Sequence, residues 1–172
     1  MIKVIRQNKW LLLALLVVLG LFISSSMTYQ EQTSIPWLQR YLSSQPGLRL
    51  VSKIHFQYAG GTVSVATNGY YAVVEFLIRK AAHVSTYFLI GVFGYLGLRA
   101  YVKPTWLRGL LTILSTCGLA ALDEFHQMLT GDRQPTFDDV ALDTVAAVIG
   151  VLLVLVISGL WHRKSRRGVV HR

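Results

Sequence analysis

Cysteine is nearly absent from this chain of 172 residues: Cys117 stands alone and can form no internal disulfide. No HExxH, paired-cysteine or EF-hand spacing occurs, which excludes the common zinc and calcium motifs, and neither metal nor cofactor is expected. Charge is scarce too. Charged residues make up 15% of the chain and apolar residues 53%, against roughly 25% and 45–50% in soluble domains. That balance argues against a soluble enzyme. Acidic residues are the scarcest class, 8 against 17 Lys and Arg, for a formal charge of +9. Such an excess points to nucleic acid or to an anionic surface, and its placement decides between them.

What the chain does have is long uncharged runs. Residues 10–30 hold none of the charges, and at about 1.5 Å per residue they cross a bilayer core of about 30 Å. Three further predominantly apolar stretches, with charges only near their ends, occupy 78–101, 106–129 and 139–161. The sequence therefore predicts an all-α polytopic membrane protein: one domain over 1–172, a four-helix transmembrane bundle, an outer segment at 31–77 and a basic tail at 162–172. For the first run a cleaved signal peptide is the alternative, because basic residues, an apolar stretch and Ser24, Ser25 and Ser26 follow the required order.

In a four-pass arrangement Lys3, Arg6, Lys9, Arg99, Lys103, Arg108, Arg163, Lys164, Arg166, Arg167 and Arg172 all fall on one side. The other side receives every acidic residue. Basic flanks stay cytoplasmic, so both termini are expected inside, with Trp10, Trp106 and Trp161 at that interface. Nucleic acid is not an expected partner, since the charges flank spans instead of lining a folded face. The tail is expected to touch anionic lipid.

Pro36, Pro46, Gly47, Gly60, Gly61, Asn68 and Gly69 exclude a long helix from the outer segment. Residues 53–58 alternate, with Ile54, Phe56 and Tyr58 on one side and Lys53, His55 and Gln57 on the other. Residues 59–61 suit a turn, and the alternation continues over 62–67 through Val63 and Val65. A small extracytoplasmic β-hairpin is predicted between the first two spans, its apolar side resting on the bundle or on headgroups because an isolated hairpin is barely stable. His55 is expected to face solvent.

On a helix, Arg79, Lys80, His83 and Tyr87 fall within about 100° of arc, and Asp123, Glu124, His126 and Gln127 within about 160°. Asp139 and Asp143 are four apart and share a face. Arg133 lies in the turn between the last two spans. The topology brings all of these to the outer end. Ionised carboxylates are expensive in lipid, so the acidic faces are expected to turn inward and meet the cations of the second span around a polar pocket. Gly91, Gly94, Gly97, Ala120 and Ala121 are small enough for close helix approach. Asp138 is expected at the surface or the helix start. The cluster admits two readings: an ion-pair network that only fixes helix register, or a site. In a site, Glu124 and His126 would act as acid and base, and His83 with Asp139 would complete a phosphate or sugar subsite.

The run Val74-Glu75-Phe76, Ile78-Arg79-Lys80-Ala81-Ala82-His83 and Tyr87-Phe88, followed by Asp123-Glu124, Gln127, Arg133, Asp139 and Gly150, resembles the VanZ-like membrane family. The three serines after the first apolar run and the hairpin before Val74 extend the resemblance over nearly the whole chain. It departs from the family at Asp143 and Ala146, where Asn and then Gly are usual, and at Thr86, where an acidic residue is often found. The resemblance implies a polytopic bacterial cell-membrane protein of a family whose founding member is associated with resistance to teicoplanin, a lipid-tailed glycopeptide that binds wall precursors. It implies no agreed reaction.

Three functions stay open at this point. One is a non-catalytic protein that binds an envelope lipid, a lipid-linked wall precursor or a lipoglycopeptide through Arg79, Lys80, His83 and Arg133, with the carboxylates orienting those cations. The second is an outer-leaflet hydrolase or transferase with Glu124 or Asp123 as base and His83 as acid. The third is a small lipid or ion transporter, for which four helices suffice only in an oligomer.

Overall fold

Predominantly apolar stretches free of proline produce the four longest elements. The computed structural model describes residues 2–130 and 136–169, with side chains over 8–130 and 136–161. Helix α1 spans Ile2–Ser25. Three short helical pieces follow, α2 (Tyr29–Gln32), α3 (Ile35–Tyr41) and α4 (Leu48–Val51). Strands β1 (His55–Tyr58) and β2 (Gly61–Ser64) and the single turn α5 (Val65–Asn68) lead to α6 (Tyr70–Leu98), α7 (Thr105–Leu129) and α8 (Phe137–Val169). Among the described residues four helices are long and apolar enough to cross a membrane: Asn8–Ser25, Tyr70–Leu98, Thr105–Leu129 and Phe137–Trp161. The fold is the expected helical bundle with a two-stranded hairpin between its first two spans.

Element ends differ from expectation where local hydrogen bonding overrides hydropathy. The first helix stops at Ser25 and not at 30, because the Thr28 side chain accepts from Glu31 N while the Glu31 carboxylate accepts from Thr28 N at 2.8 Å. That reciprocal cap starts a new turn. Strand β2 ends at Ser64, where the alternation predicted strand to 67: the Ser64 hydroxyl accepts from Thr67 N at 3.2 Å and caps α5. Gly69, at φ +83°, then allows α6 to begin at Tyr70 and not at 78. The extra two turns place Glu75 on the same helix as Arg79 and Lys80.

The hairpin pairs His55 with Ser64, Phe56 with Val63, Gln57 with Thr62 and Tyr58 with Gly61. Its two-residue turn, Ala59 and Gly60 at φ 53° and 76°, has the positive-φ geometry that matches strand twist. Phe56 and Tyr58 rest on the Phe76 ring, at 6.1 and 5.3 Å between centroids, so the apolar side leans on α6 as expected. His55 is exposed.

Helix α6 is the hub, packed against α1, α7 and α8, while α7 also packs on α8. One apolar layer gathers Leu21, Tyr87, Ile90, Ala120 and Ala146; a second gathers Tyr95, Val151 and Val154. Contact between α6 and α8 is nearly backbone to backbone. A Cβ on Gly91 would stand 2.5 Å from the Ala147 carbonyl oxygen, and one on Gly150 would stand 2.6 Å from that of Phe88. Ala120 is buried as expected of a close approach, but Ala121 is exposed. At the α6–α7 turn, buried Arg108 donates to the carbonyls of Val102 and Lys103, each at 3.2 Å, and lies 4.8 Å over the Tyr95 ring.

Candidate functional site

The bundle has a proximal end, at the α6–α7 turn, and a distal end, where α1 and α7 finish and α6 and α8 begin. The polar side chains sit at the distal end in two tiers.

The upper tier surrounds a cavity of about 390 Å³ whose lining includes Tyr29, Tyr58, Glu75, Phe76, Arg79, Lys80, His83, Glu124, Gln127 and Asp139. Successive turns of α6 supply Glu75, Arg79, Lys80 and His83, since residues three and four apart share a face. Lys80 pairs with Asp139, which also accepts from the Tyr58 hydroxyl. The Lys80 ammonium lies 4.8 Å over the Tyr58 ring and 5.6 Å from that of Phe76. Burial first, and then the Asp139 carboxylate, push the Tyr58 phenol well above its ordinary range, so it stays a donor. Ala59 N also donates to Asp138 at 2.8 Å, fastening the hairpin turn to the first turn of α8.

Other wall groups tie the loops down. Glu75, buried, accepts from the Thr33 hydroxyl and from Ser34 N, both at 3.1 Å, and so holds the entry to α3 against α6. Glu124 accepts from Thr136 N at 2.8 Å, which links the end of α7 to the start of α8. Arg79 lies 5.1 Å over the Tyr29 ring and has no carboxylate in ion-pair contact among the described residues.

The lower tier is buried between helices. Asp123 accepts from the Ser25 hydroxyl at 2.5 Å, the Gln127 amide at 3.0 Å and the Tyr87 hydroxyl at 3.3 Å. One carboxylate thereby joins α1, α6 and α7 through neutral donors. Asp143 faces His83 with 3.3 Å between Oδ2 and Nδ1, the Asp143 side chain being 5% exposed and His83 25%. Its other oxygen, Oδ1, is buried with no hydrogen-bond partner among the described residues. The imidazole spans the two tiers: it lines the cavity above and is oriented from below.

A family model for VanZ/LLP1 matches residues 10–158. The chain belongs to the VanZ/LLP1 family. No curated protein and no solved structure matches it significantly.

Six of the residues singled out by sequence line the cavity in this VanZ/LLP1 chain: Arg79, Lys80, His83, Glu124, Gln127 and Asp139. Tyr87, Asp123 and Asp143 are buried in the tier beneath. His126 is elsewhere, its ring stacked 4.8 Å from Phe22 on α1, so it does not join Glu124 at the cavity as an acid–base partner. Positions 124 and 126 are about 160° apart round a helix, so their side chains meet different neighbours. Arg133 lies outside the described residues. The expectation that the acidic faces meet the cations of the second span holds for Asp139, which pairs with Lys80, while Asp143 meets the His83 imidazole. It fails for Asp123, which is served by hydroxyls and an amide.

Sequence reasoning left Ser25, Tyr29, Tyr58 and Glu75 out of the site. Glu75 had a usable signal, four residues before Arg79 and eight before His83 on one face. Tyr58 had been placed on the apolar side of its strand, which its ring obeys while its hydroxyl reaches Asp139. No helical periodicity links Ser25 or Tyr29 to the other site residues.

Proposed function

We propose that this VanZ/LLP1 protein is a multi-pass protein of the bacterial cytoplasmic membrane, with both termini cytoplasmic, whose distal cavity faces outward and holds a polar headgroup. The cell-envelope lipids, a lipid-linked wall precursor and a lipoglycopeptide such as teicoplanin are the candidate ligands. Basic residues crowd the proximal flanks and the acidic ones the distal side, the distribution that sets orientation. The observation that carries the binding reading is Arg79. It lines the cavity with a guanidinium that no carboxylate among the described residues engages, while Lys80 and His83 are already paired. A planar fork of donors is suited to a phosphate or carboxylate. Apolar wall residues such as Ala72, Val73 and Phe76 suit the start of an acyl chain.

Lipid retention tests this directly. The full chain, purified in mild detergent, is expected to carry lipid in native mass spectrometry, and Arg79→Glu to lose most of it while keeping its melting temperature. Undiminished retention by that variant rejects the reading. In cells, protection against teicoplanin but not vancomycin, lost in Arg79→Glu at matched membrane levels, would extend it to drug resistance.

One observation favours a second reading, outer-leaflet hydrolysis or group transfer. His83 lines the cavity while a buried carboxylate orients its Nδ1, the arrangement that readies an imidazole for proton transfer. Glu124 is the base that fits, because Asp123 is occupied by three donors. Turnover of a lipid-linked pyrophosphate or phospholipid by the purified protein, abolished in His83→Gln, would support it; turnover unchanged in that variant removes the role.

A further inference from the structure

Resting on the binding reading, the charges around the cavity specify which headgroup it takes. Lys80 and Asp139 neutralise one another. Both oxygens of Glu75 are spent on Thr33 and Ser34. Two groups are left over. Arg79 has no carboxylate partner among the described residues, and Glu124 uses Oε2 on Thr136 N while its Oε1 makes no hydrogen bond among them. Among the described residues the cavity therefore presents one cation without a carboxylate partner, part-buried Arg79, and one carboxylate with an oxygen still open to a ligand, buried Glu124; Glu75 keeps its charge but has no open acceptor. A purely anionic headgroup satisfies Arg79 and brings its negative charge toward Glu124. Leaving a desolvated charge unmatched is costly, so the complementary ligand carries both signs.

The aromatic walls narrow the cation further. A quaternary ammonium donates no hydrogen bond and is held by bare aromatic faces. Those faces are taken here, Tyr29 by Arg79 and Tyr58 with Phe76 by Lys80. A primary ammonium needs no such cage, since it donates directly to a carboxylate. We propose that the cavity recognises a phosphate ester bearing a primary ammonium, the chemistry of a phosphoethanolamine headgroup, with Arg79 on the phosphate and Glu124 on the ammonium.

The test is competition among lipids of one acyl composition. The full chain in detergent is offered dioleoyl phosphatidylethanolamine, phosphatidylglycerol and phosphatidylcholine in equal amounts, and retained lipid is counted by native mass spectrometry. Phosphatidylethanolamine is expected to exceed each of the others by about tenfold, the value of one charge-assisted hydrogen bond. Glu124→Gln, which keeps an oxygen for Thr136 N, should bring it down to the phosphatidylglycerol level without lowering the melting temperature. Soluble glycerophosphoethanolamine identifies the source of this chemistry. If it displaces the lipid, the headgroup alone suffices; if it does not, the acyl chains are part of the recognised ligand. Equal retention of all three lipids by the wild type, or a preference that survives Glu124→Gln, overturns the inference. Retention that depends on Arg79 but ignores the ammonium overturns this inference alone, whereas retention indifferent to Arg79→Glu overturns the binding reading beneath it.

Discussion

The two halves of the α6–α8 pair are built from opposite materials. Toward the proximal end Gly91 and Gly150 bring the two backbones into contact, and no side chain separates them. Toward the distal end the same helices are bridged by Lys80 with Asp139 and His83 with Asp143, beyond the apolar layer that holds Tyr87 and Ala146. In lipid, apolar side chains gain nothing by leaving one greasy surface for another, so helices associate through close packing and polar contacts. Here the two means are kept apart. Glycine contact fixes the crossing, and long polar side chains occupy the gap where the cavity lies.

The largest effect should come from disturbing the glycine half. Gly91→Leu forces a side chain into the Ala147 carbonyl, and overpacking of that kind costs about 3 kcal/mol or more when backbone must move. Gly94 is the control. Its nearest neighbour to a new Cβ is the Thr112 methyl at 3.3 Å, a side chain with room to adjust. The helix-propensity gain of alanine offsets that strain, so Gly94→Ala is expected to stay within about 1 kcal/mol of wild type. Thermal unfolding in detergent reads both. Equal destabilisation by the two variants would remove the claim that one crossing point organises the pair.

The fold was legible in the sequence because the bilayer enforces it: predominantly apolar runs of spanning length have few alternatives to a helix. The hairpin was legible at its centre, through alternation flanking Ala59 and Gly60, but not at its end. Ser64 gives the same alternating pattern whether it continues a strand or caps a helical turn, and only the hydrogen bond to Thr67 N decides. Within the site, residues on one helix were readable from periodicity, hence Arg79, Lys80 and His83. Beyond the general expectations that acidic faces meet cations and that the hairpin leans on the bundle, contacts between elements were not. Ser25 reaches Asp123 across 98 positions, and Tyr58 reaches Asp139 across 81.

Asp123 is the next point at which to press the comparison, because it is the polar counterpart of Gly91. Its carboxylate holds three helices by collecting Ser25, Tyr87 and Gln127. Asp123→Ala strands those buried donors and is expected to cost about 1–3 kcal/mol in detergent unfolding, with Asp123→Asn losing less because one acceptor oxygen remains. A loss for Asp123→Ala below about 0.5 kcal/mol would mean that this carboxylate does not hold the three helices together.

The smallest expected effect concerns the rim of the cavity. Tyr29, which covers Arg79, sits in the single turn α2, and that turn depends on the reciprocal cap between Thr28 and Glu31. The backbone and hydroxyl of Thr28 hold the exposed Glu31 carboxyl below its ordinary value. A folded value lower than the unfolded one means that the ionised form is the one the cap binds. The contribution is therefore complete above the ordinary glutamate range, about pH 4.3, and disappears as pH falls through the lowered folded value. Hydrogen exchange at the α2 amides should rise on acidification through that window, relative to the intrinsic rate, and Glu31→Gln should show a weaker dependence. The melting temperature is expected to be no different in Glu31→Gln, since the cap is exposed and lies outside the packing of the four long helices. If α2 loosens in acid while lipid retention stays constant, Tyr29 is a cover for Arg79 and not part of its grip on the ligand. If retention falls along with α2 protection, the rim positions the guanidinium, and the cavity's binding half extends into the loop that connects the first two spans.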